Sequence, residues 1–341
     1  MEQQLSRNTS LRVAYVGSFG VHEFLSIDSN SIPAQICAAT TCTSGGVATL
    51  ASFNNIAPTV PQGTLYIPGP GAKRPNQFLS GGFFWLTEGN SSYNALQADV
   101  THRFSGGLEF RGNYTWSKNL DINSGLTGAQ SNNQAQMVLN RNNLRADWGP
   151  SALNAASQAS LSALYEIPLG HGQRWMSDIN GMESKFVSGW QVNAIGTFLS
   201  GFPFTPLAGS NRSGDGDTRN PDRVSINSAF TGDVITGNPN QWFNPAAFLL
   251  PAPGTYGNIG RGTLRGPGLA DVDFSVFKNT GITEKTNLQF RAEFFNLFNR
   301  SNYGPPNTTV FSSTSVSPSA GLITTTATNP RQIQLGLKLI F

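Results

Sequence analysis

The sequence predicts an all-β chain, an antiparallel, up-and-down transmembrane β-barrel segment of about eight strands with long extracellular loops. Three observations carry this. Short runs in which polar and apolar residues alternate recur along the whole length, the connections between them alternate between short and long, and the last run ends on an aromatic residue. Glycine (37) and proline (20) are abundant and only 12% of residues are charged, which suits strands joined by irregular loops better than helices.

Leu11, Val13 and Tyr15 alternate with Arg12, Ala14 and Val16 and mark the first strand. Roughly seventy residues without a sustained period follow, too many for an ordinary loop in a compact domain. The best interior signal is YNALQADVTHRFSGGLEFRGNYTWSK, two alternating runs around Ser105, Gly106 and Gly107, as in a hairpin with a glycine-bearing loop. Centring it on Gly106 pairs Phe104 with Leu108, His102 with Phe110, Ala98 with Tyr114 and Leu96 with Trp116 on one face. On the other face Arg103 meets Glu109 and Thr101 meets Arg111, with Asp99 diagonal to Arg111. The same alternation places Leu161, Ala163, Tyr165 and Ile167 on one strand face, then Trp190, Val192, Ala194 and Phe198, then Val272, Phe274 and Val276. It continues through Leu288, Phe290, Ala292, Phe294 and Phe298. The terminal run puts Ile333, Leu335, Leu337, Leu339 and Phe341 on one face, opposite Gln332, Gln334, Gly336, Lys338 and Ile340.

Three connections are short, around Gly106, around 168–185 and around 279–286. Four are long, about 19–92, 119–151, 200–268 and 299–330. Strict alternation gathers the short turns at one end and the long loops at the other, as in outer-membrane barrels with tight periplasmic turns and large extracellular loops; a soluble sandwich has no reason to do so. No apolar run approaches the roughly 18 to 20 residues of a membrane helix, whereas a membrane strand needs only about 9 to 11, alternately apolar. The N-terminus has no apolar signal-peptide core, so the chain either stays in the cytoplasm or is a piece of something longer.

No chemistry-bearing motif stands out. His22, His102 and His171 are far apart and away from the cysteines; nucleophile-elbow, phosphate-loop and dinucleotide fingerprints are missing, so no enzyme activity, cofactor or catalytic residue is expected. Glu109, Glu166 and Glu293 fall on the polar, lumen-side face, where charges are ordinary. A net charge of +3 with scattered Arg and Lys gives no nucleic-acid footprint, and GRGTLRGPG (Gly260 to Gly268) reads as a flexible turn. Cys37 and Cys42, five positions apart, read as a local loop disulfide, or else as a weak metal pair without further ligands. Asp215, Asp217 and Asp222 in SGDGDTRNPDR form a weak calcium or ligand loop candidate, without EF-hand spacing or its terminal Glu; a structural turn is the default. Tyr66, Phe83, Phe84, Trp85, Trp242, Phe243 and Tyr256 in the long loops either stack on ligands or pack the loops together.

LRVAYVGSFG, the hairpin around Gly106, LYEIPLGHG, GWQVNAIGTFLSGFPFT and the run from Phe277 to Tyr303, ending in a terminal aromatic strand, resemble the C-terminal part of Oar-like TonB-dependent outer-membrane proteins. The resemblance implies a barrel of about 22 strands. Residues 1–341 would then form a single, open C-terminal segment, with signal peptide, carboxypeptidase-regulatory-like domain and plug absent. It implies substrate uptake or transport across the outer membrane, with the TonB system engaged only through the missing N-terminal part. The partners implied are outer-membrane lipid, an unknown substrate and the barrel-assembly machinery, which would read the terminal residues Ile333, Leu335, Leu337, Leu339 and Phe341 as its signal. A surface adhesin without transport, or a secreted β-rich hydrolase, are the alternatives. An isolated open segment should not insert stably, because unpaired edge amides in lipid cost several kcal/mol each.

Overall fold

The computed structural model describes residues 1–124, 137–217, 219 and 222–341. Nine antiparallel strands follow sequence order through one sheet: β1 (Glu2–Ser6), β2 (Thr9–Asp28), β3 (Phe83–Ser105), β4 (Leu108–Asp121), β5 (Ser157–Glu166), β6 (Trp190–Leu199), β7 (Leu269–Gly281), β8 (Asn287–Phe295) and β9 (Gln332–Ile340), and a tenth, the two-residue Gly149–Pro150, pairs beside them with the end of β4. The eight expected strands are all present. The ninth is β1, a polar edge strand held to β2 by backbone pairing from Glu2 opposite Arg12 to Ser6 opposite Thr9. It carries no apolar alternation because all five of its residues are exposed. Its two-residue turn lies at the same end as Gly106, so short turns and long loops still alternate.

The registers show why one face is apolar. Tyr15 sits opposite Leu96, and Leu96 opposite Trp116. Further along, Leu161 lies opposite Gly112 and Gly196. Val276 is opposite Val192 and Ala292, and Ala292 is opposite Leu335. Directly paired residues share a side of the sheet, so a single apolar face runs unbroken from β2 to β9. On the opposite face, Arg12, Asp99, Asn113, Ser160, Thr197 and Asp271 form a continuous polar row. Leu335 and Leu337 are 68% and 69% exposed, and Trp116 is 61% exposed, so the described residues leave most of this face uncovered. An apolar surface of that extent marks an interaction face, and lipid is the medium that fits strands of 9 residues (β8, β9) and 10 residues (β5, β6).

The Gly106 hairpin keeps its expected register from Leu96 and Trp116 down to His102 and Phe110, but not at the turn. There Ser105 pairs with Leu108 across a two-residue turn, so Phe104 does not face Leu108. Gly106 and Gly107 have φ of 59° and 86°, and left-handed backbone at both central positions matches the twist of the flanking strands and favours glycine at each. The expected contact of Arg103 with Glu109 gives way to an ion pair along one strand, Arg111 to Glu109 at 3.2 Å. Phe298 lies beyond the end of β8 and is exposed.

The first long loop is shorter than its sequence suggested, 29–82 instead of about 19–92, because β2 and β3 run on past the other strands to pair Asp28 with Phe83. Two irregularities, around Val21, Glu23 and Leu25, break the period there, and His22 adopts φ 58°. From Leu25 to Asp28 every residue is buried. With both faces covered by loops, the alternation that would have revealed this extension is lost.

β1 and β9 are the two edges of the sheet, and among the described residues they are not paired with each other. The buried apolar clusters of the described residues lie at the long-loop end, among the loops and the protruding end of β2, and not on the lipid face. One gathers Phe204, Val224, Phe243, Phe248, Val310 and Phe311 from the last two long loops. A second joins Leu25 and Ile27 to Ile122 and Val138.

Candidate functional site

The four long loops pack into one assembly above the sheet, braced by buried charges. Asp28, at the tip of β2, accepts hydrogen bonds from the backbone N–H groups of Asn30 and Gly82, each at 2.8 Å, and from Arg219 Nη2 at 3.0 Å. Arg74 approaches the same carboxylate at 3.6 Å. Asp147 pairs with Arg223, and Asp121 with Arg261, all buried, so each pair ties the loop or strand end near residues 121–147 to the loop of residues 200–268. Arg261 also donates to Asp147 O at 2.6 Å, Ser124 Oγ at 3.1 Å and Gly149 O at 3.2 Å, filling a guanidinium fork whose planar geometry suits several acceptors. The GRGTLRGPG segment is therefore a brace and not a flexible turn. Arg265 in the same segment donates to Gly201 O at 3.1 Å. Between the first and third loops, Val47 N donates to Gly214 O at 2.8 Å, and a Cβ on Gly46, whose φ is 59°, would overlap that carbonyl.

Asp215, Asp217 and Asp222 are all buried in this assembly. Asp222 accepts from Ser213 N and from Ser213 Oγ, the latter at 3.1 Å. Asp215 accepts from Asp217 N at 2.8 Å and from the Tyr256 hydroxyl at 3.2 Å; Asp217 accepts from Arg219 N at 2.9 Å. The carboxylates thus act as turn acceptors, and among the described residues no group of three or more His, Cys, Asp or Glu is placed to hold a metal ion. Cys37 and Cys42 form a disulfide in the first loop, next to Val60 and Tyr66.

Burial pushes the Asp222 carboxyl up to about 8, with Asp215 adding to the effect, and burial pushes Asp215 up to about 6. Desolvation and the same acids push the Tyr256 hydroxyl above its ordinary range. A carboxyl whose pKa is raised by folding contributes stability that is full below the unfolded value near 3.8 and is lost as pH rises through the folded value. The loop assembly is expected to tighten on acidification from pH 9 to pH 5, read as slower protease cleavage of the loops. Asp222→Asn, which keeps an acceptor for Ser213, should flatten the upper part of that profile; an unchanged profile would assign the pH dependence elsewhere.

The aromatic residues divide between two roles. Phe243 and Tyr66 are buried and Trp242 donates its indole N–H to Arg265 O at 2.9 Å, so these three pack loops. Phe83, Phe84 and Trp85, on the protruding part of β3, are 42%, 55% and 54% exposed, with Arg219 stacked over Phe83 at 5.4 Å. A separate, mainly apolar cavity of about 340 Å³ opens at the loop ends of β6 and β7, lined by Leu153, Leu199, Phe202, Phe204, Leu269 and Tyr303. Phe204 is packed against Phe243, ring centroids 5.7 Å apart, which fixes one wall. The sequence marks neither the cavity nor the bracing role of Arg261, since their members meet only through the fold.

Residues 1–334 match the family model described as "Outer membrane beta barrel domain". No curated protein matches the chain. Among solved structures, the crystal structure of the outer membrane transporter YddB from Escherichia coli matches at 8% identity with a TM-score of 0.46, over 99% of this chain and 31% of that one. An exposed apolar sheet face, segregated turns and loops, and a family match across nearly the whole length converge: the chain belongs to the outer membrane β-barrel domain family and resides in the outer membrane.

Proposed function

We propose that this sheet is one arc of a larger barrel, of the 22-stranded class, in an Oar-like TonB-dependent transporter or receptor, taking part in substrate uptake or transport across the outer membrane. The observation that carries this reading is the braced loop assembly standing over a sheet whose two edges await further strands. Open edges in lipid leave amides unpaired at several kcal/mol each, so neighbouring strands are required. The strands form the wall, and substrate is captured among the loops, at the cavity beside Phe202 and Tyr303 or at Phe83, Phe84 and Trp85. No residue of the chain does covalent chemistry. Release inward follows rearrangement of a plug coupled to the TonB system through the N-terminal part of the receptor. The exposed aromatic trio also suits a surface adhesin, which would bind through the same loops without transport.

The coding sequence upstream of Met1 separates these readings. An in-frame plug followed by further strands supports transport; a promoter and signal sequence directly ahead of Met1 removes the transporter reading. The terminal strand gives a second test. Phe341 is 95% exposed at the short-turn end, in line with Ile333, Leu335, Leu337 and Leu339 on the lipid face, the arrangement by which barrel-assembly machinery would engage it. Deleting Phe341 from the complete protein is expected to reduce membrane insertion by more than the roughly 1.5–3 kcal/mol of one side chain's burial would account for. Normal insertion, read by heat-modifiable gel mobility, would end this account of the terminus.

A further inference from the structure

The connection between β5 and β6 holds the only α-helix among the described residues, α1 (Gly181–Val187), and it lies against the lipid side of the sheet. Two outer-face residues fix it there. Trp190 and Lys278 are paired across β6 and β7, on the same face as Val192 and Val276. Trp190 Nε1 donates to Phe186 O at 3.1 Å. Lys278 Nζ donates to Lys185 O at 2.7 Å and Ser188 O at 2.5 Å, with Asn279 O at 3.2 Å and Thr280 Oγ1 at 3.1 Å completing its shell. A lysine on the lipid face must reach polar partners, and the last carbonyls of a helix, carrying partial negative charge, supply them.

This arrangement leaves Met182 and Phe186, one helical turn apart, 72% and 71% exposed on the side turned away from the sheet. Their apolar stripe continues the lipid face at its short-turn, periplasmic edge, flanked by the exposed Lys185 in the last turn of the helix and the exposed Glu183 in the first. An apolar stripe with a cation beside it, lying in the plane of a membrane boundary, is the geometry of an interfacial helix. We propose that α1 docks on the periplasmic leaflet of the outer membrane, with Met182 and Phe186 at the boundary between headgroups and acyl chains and Lys185 among the phosphates. The helix would then fix the depth at which this part of the barrel sits. Lys278 is the positioning residue that holds it. The inference rests on the barrel reading, since the lipid face is what α1 extends.

Two variants of the full protein that each add one free cysteine beside the Cys37–Cys42 disulfide, Phe186→Cys on the helix and Leu335→Cys on the lipid face of β9, labelled with a bimane fluorophore in phosphatidylethanolamine and phosphatidylglycerol vesicles, test it. His171→Cys, on the exposed part of the same turn, serves as the aqueous reference. Loss of emission at both 186 and 335 with doxyl-labelled phospholipid, and little loss at either with aqueous iodide, supports docking. Quenching by doxyl lipid at 335 but not at 186 overturns the inference while leaving the barrel intact, whether 186 then behaves like 171 towards iodide or is shielded by protein. Absence of lipid quenching at both positions removes the barrel reading and this inference with it. Lys278→Met should shift 186 towards iodide access while leaving 335 unchanged; no shift would end the positioning role of Lys278.

Discussion

Arg261→Met is expected to destabilise the loop assembly by about 3–5 kcal/mol, the usual cost of leaving one member of a buried ion pair without its partner. Methionine fills much of the space but offers no donor, so the Asp121 carboxylate, Asp121 O, Asp147 O and Gly149 O all lose the same guanidinium. Among the described residues Asp121 then keeps the side-chain contact of Ser124, whose hydroxyl donates at 3.0 and 3.1 Å. Hydrogen exchange should rise in the segments around 121–124 and 260–265 together, and hardly at all in β8 and β9. The double variant Arg261→Met with Asp121→Leu should recover most of the loss, because replacing both partners removes the stranded charge. If the single variant exchanges like the parent, the pair does not brace the loops.

Leu161→Arg and Ser160→Arg, at adjacent positions of β5, are expected to differ sharply. Leu161 lies on the apolar face between Gly112 and Gly196, near the middle of the strand; Ser160 lies on the polar face between Asn113 and Thr197. An arginine facing lipid at mid-depth costs about 2–4 kcal/mol in a membrane barrel, while a charge facing the lumen is ordinary. Denaturant titration of the complete protein in lipid vesicles should show Leu161→Arg shifted by that amount and Ser160→Arg within about 0.5 kcal/mol of the parent. Equal effects would mean that the two faces have been assigned to the wrong media.

That assignment was readable in the sequence because membrane strands retain period two wherever one side meets lipid and the other water. Leu96, Ala98 and Trp116 carry their face and their partners in the alternation alone. Where both sides are covered, as from Leu25 to Asp28, or where both are polar, as in Glu2–Ser6, the period carries no information. The acidic segment of Asp215, Asp217 and Asp222 was visible as a cluster. Its role was not, since Tyr256, which donates to Asp215, lies some forty positions away and approaches only in the folded loops. Arg261 was misread for the same reason: GRGTLRGPG looks mobile until Asp121 and Asp147 close around it.

The ion pairs between loops also bear on the order of folding. Every strand from β2 to β9 pairs with the strand before it in the chain, so the sheet can be extended one strand at a time, with little chain to close at the short turns and more at the four long loops. Asp28 and Arg219, or Asp121 and Arg261, are joined across 191 and 140 positions and meet only after the intervening strands have found their registers. A slip of one residue in any of those strands would displace a loop by about 3.3 Å and turn its side chains to the wrong face. The loop assembly therefore forms late and forms only on a correctly threaded wall, which makes it a checkpoint on the sheet beneath it.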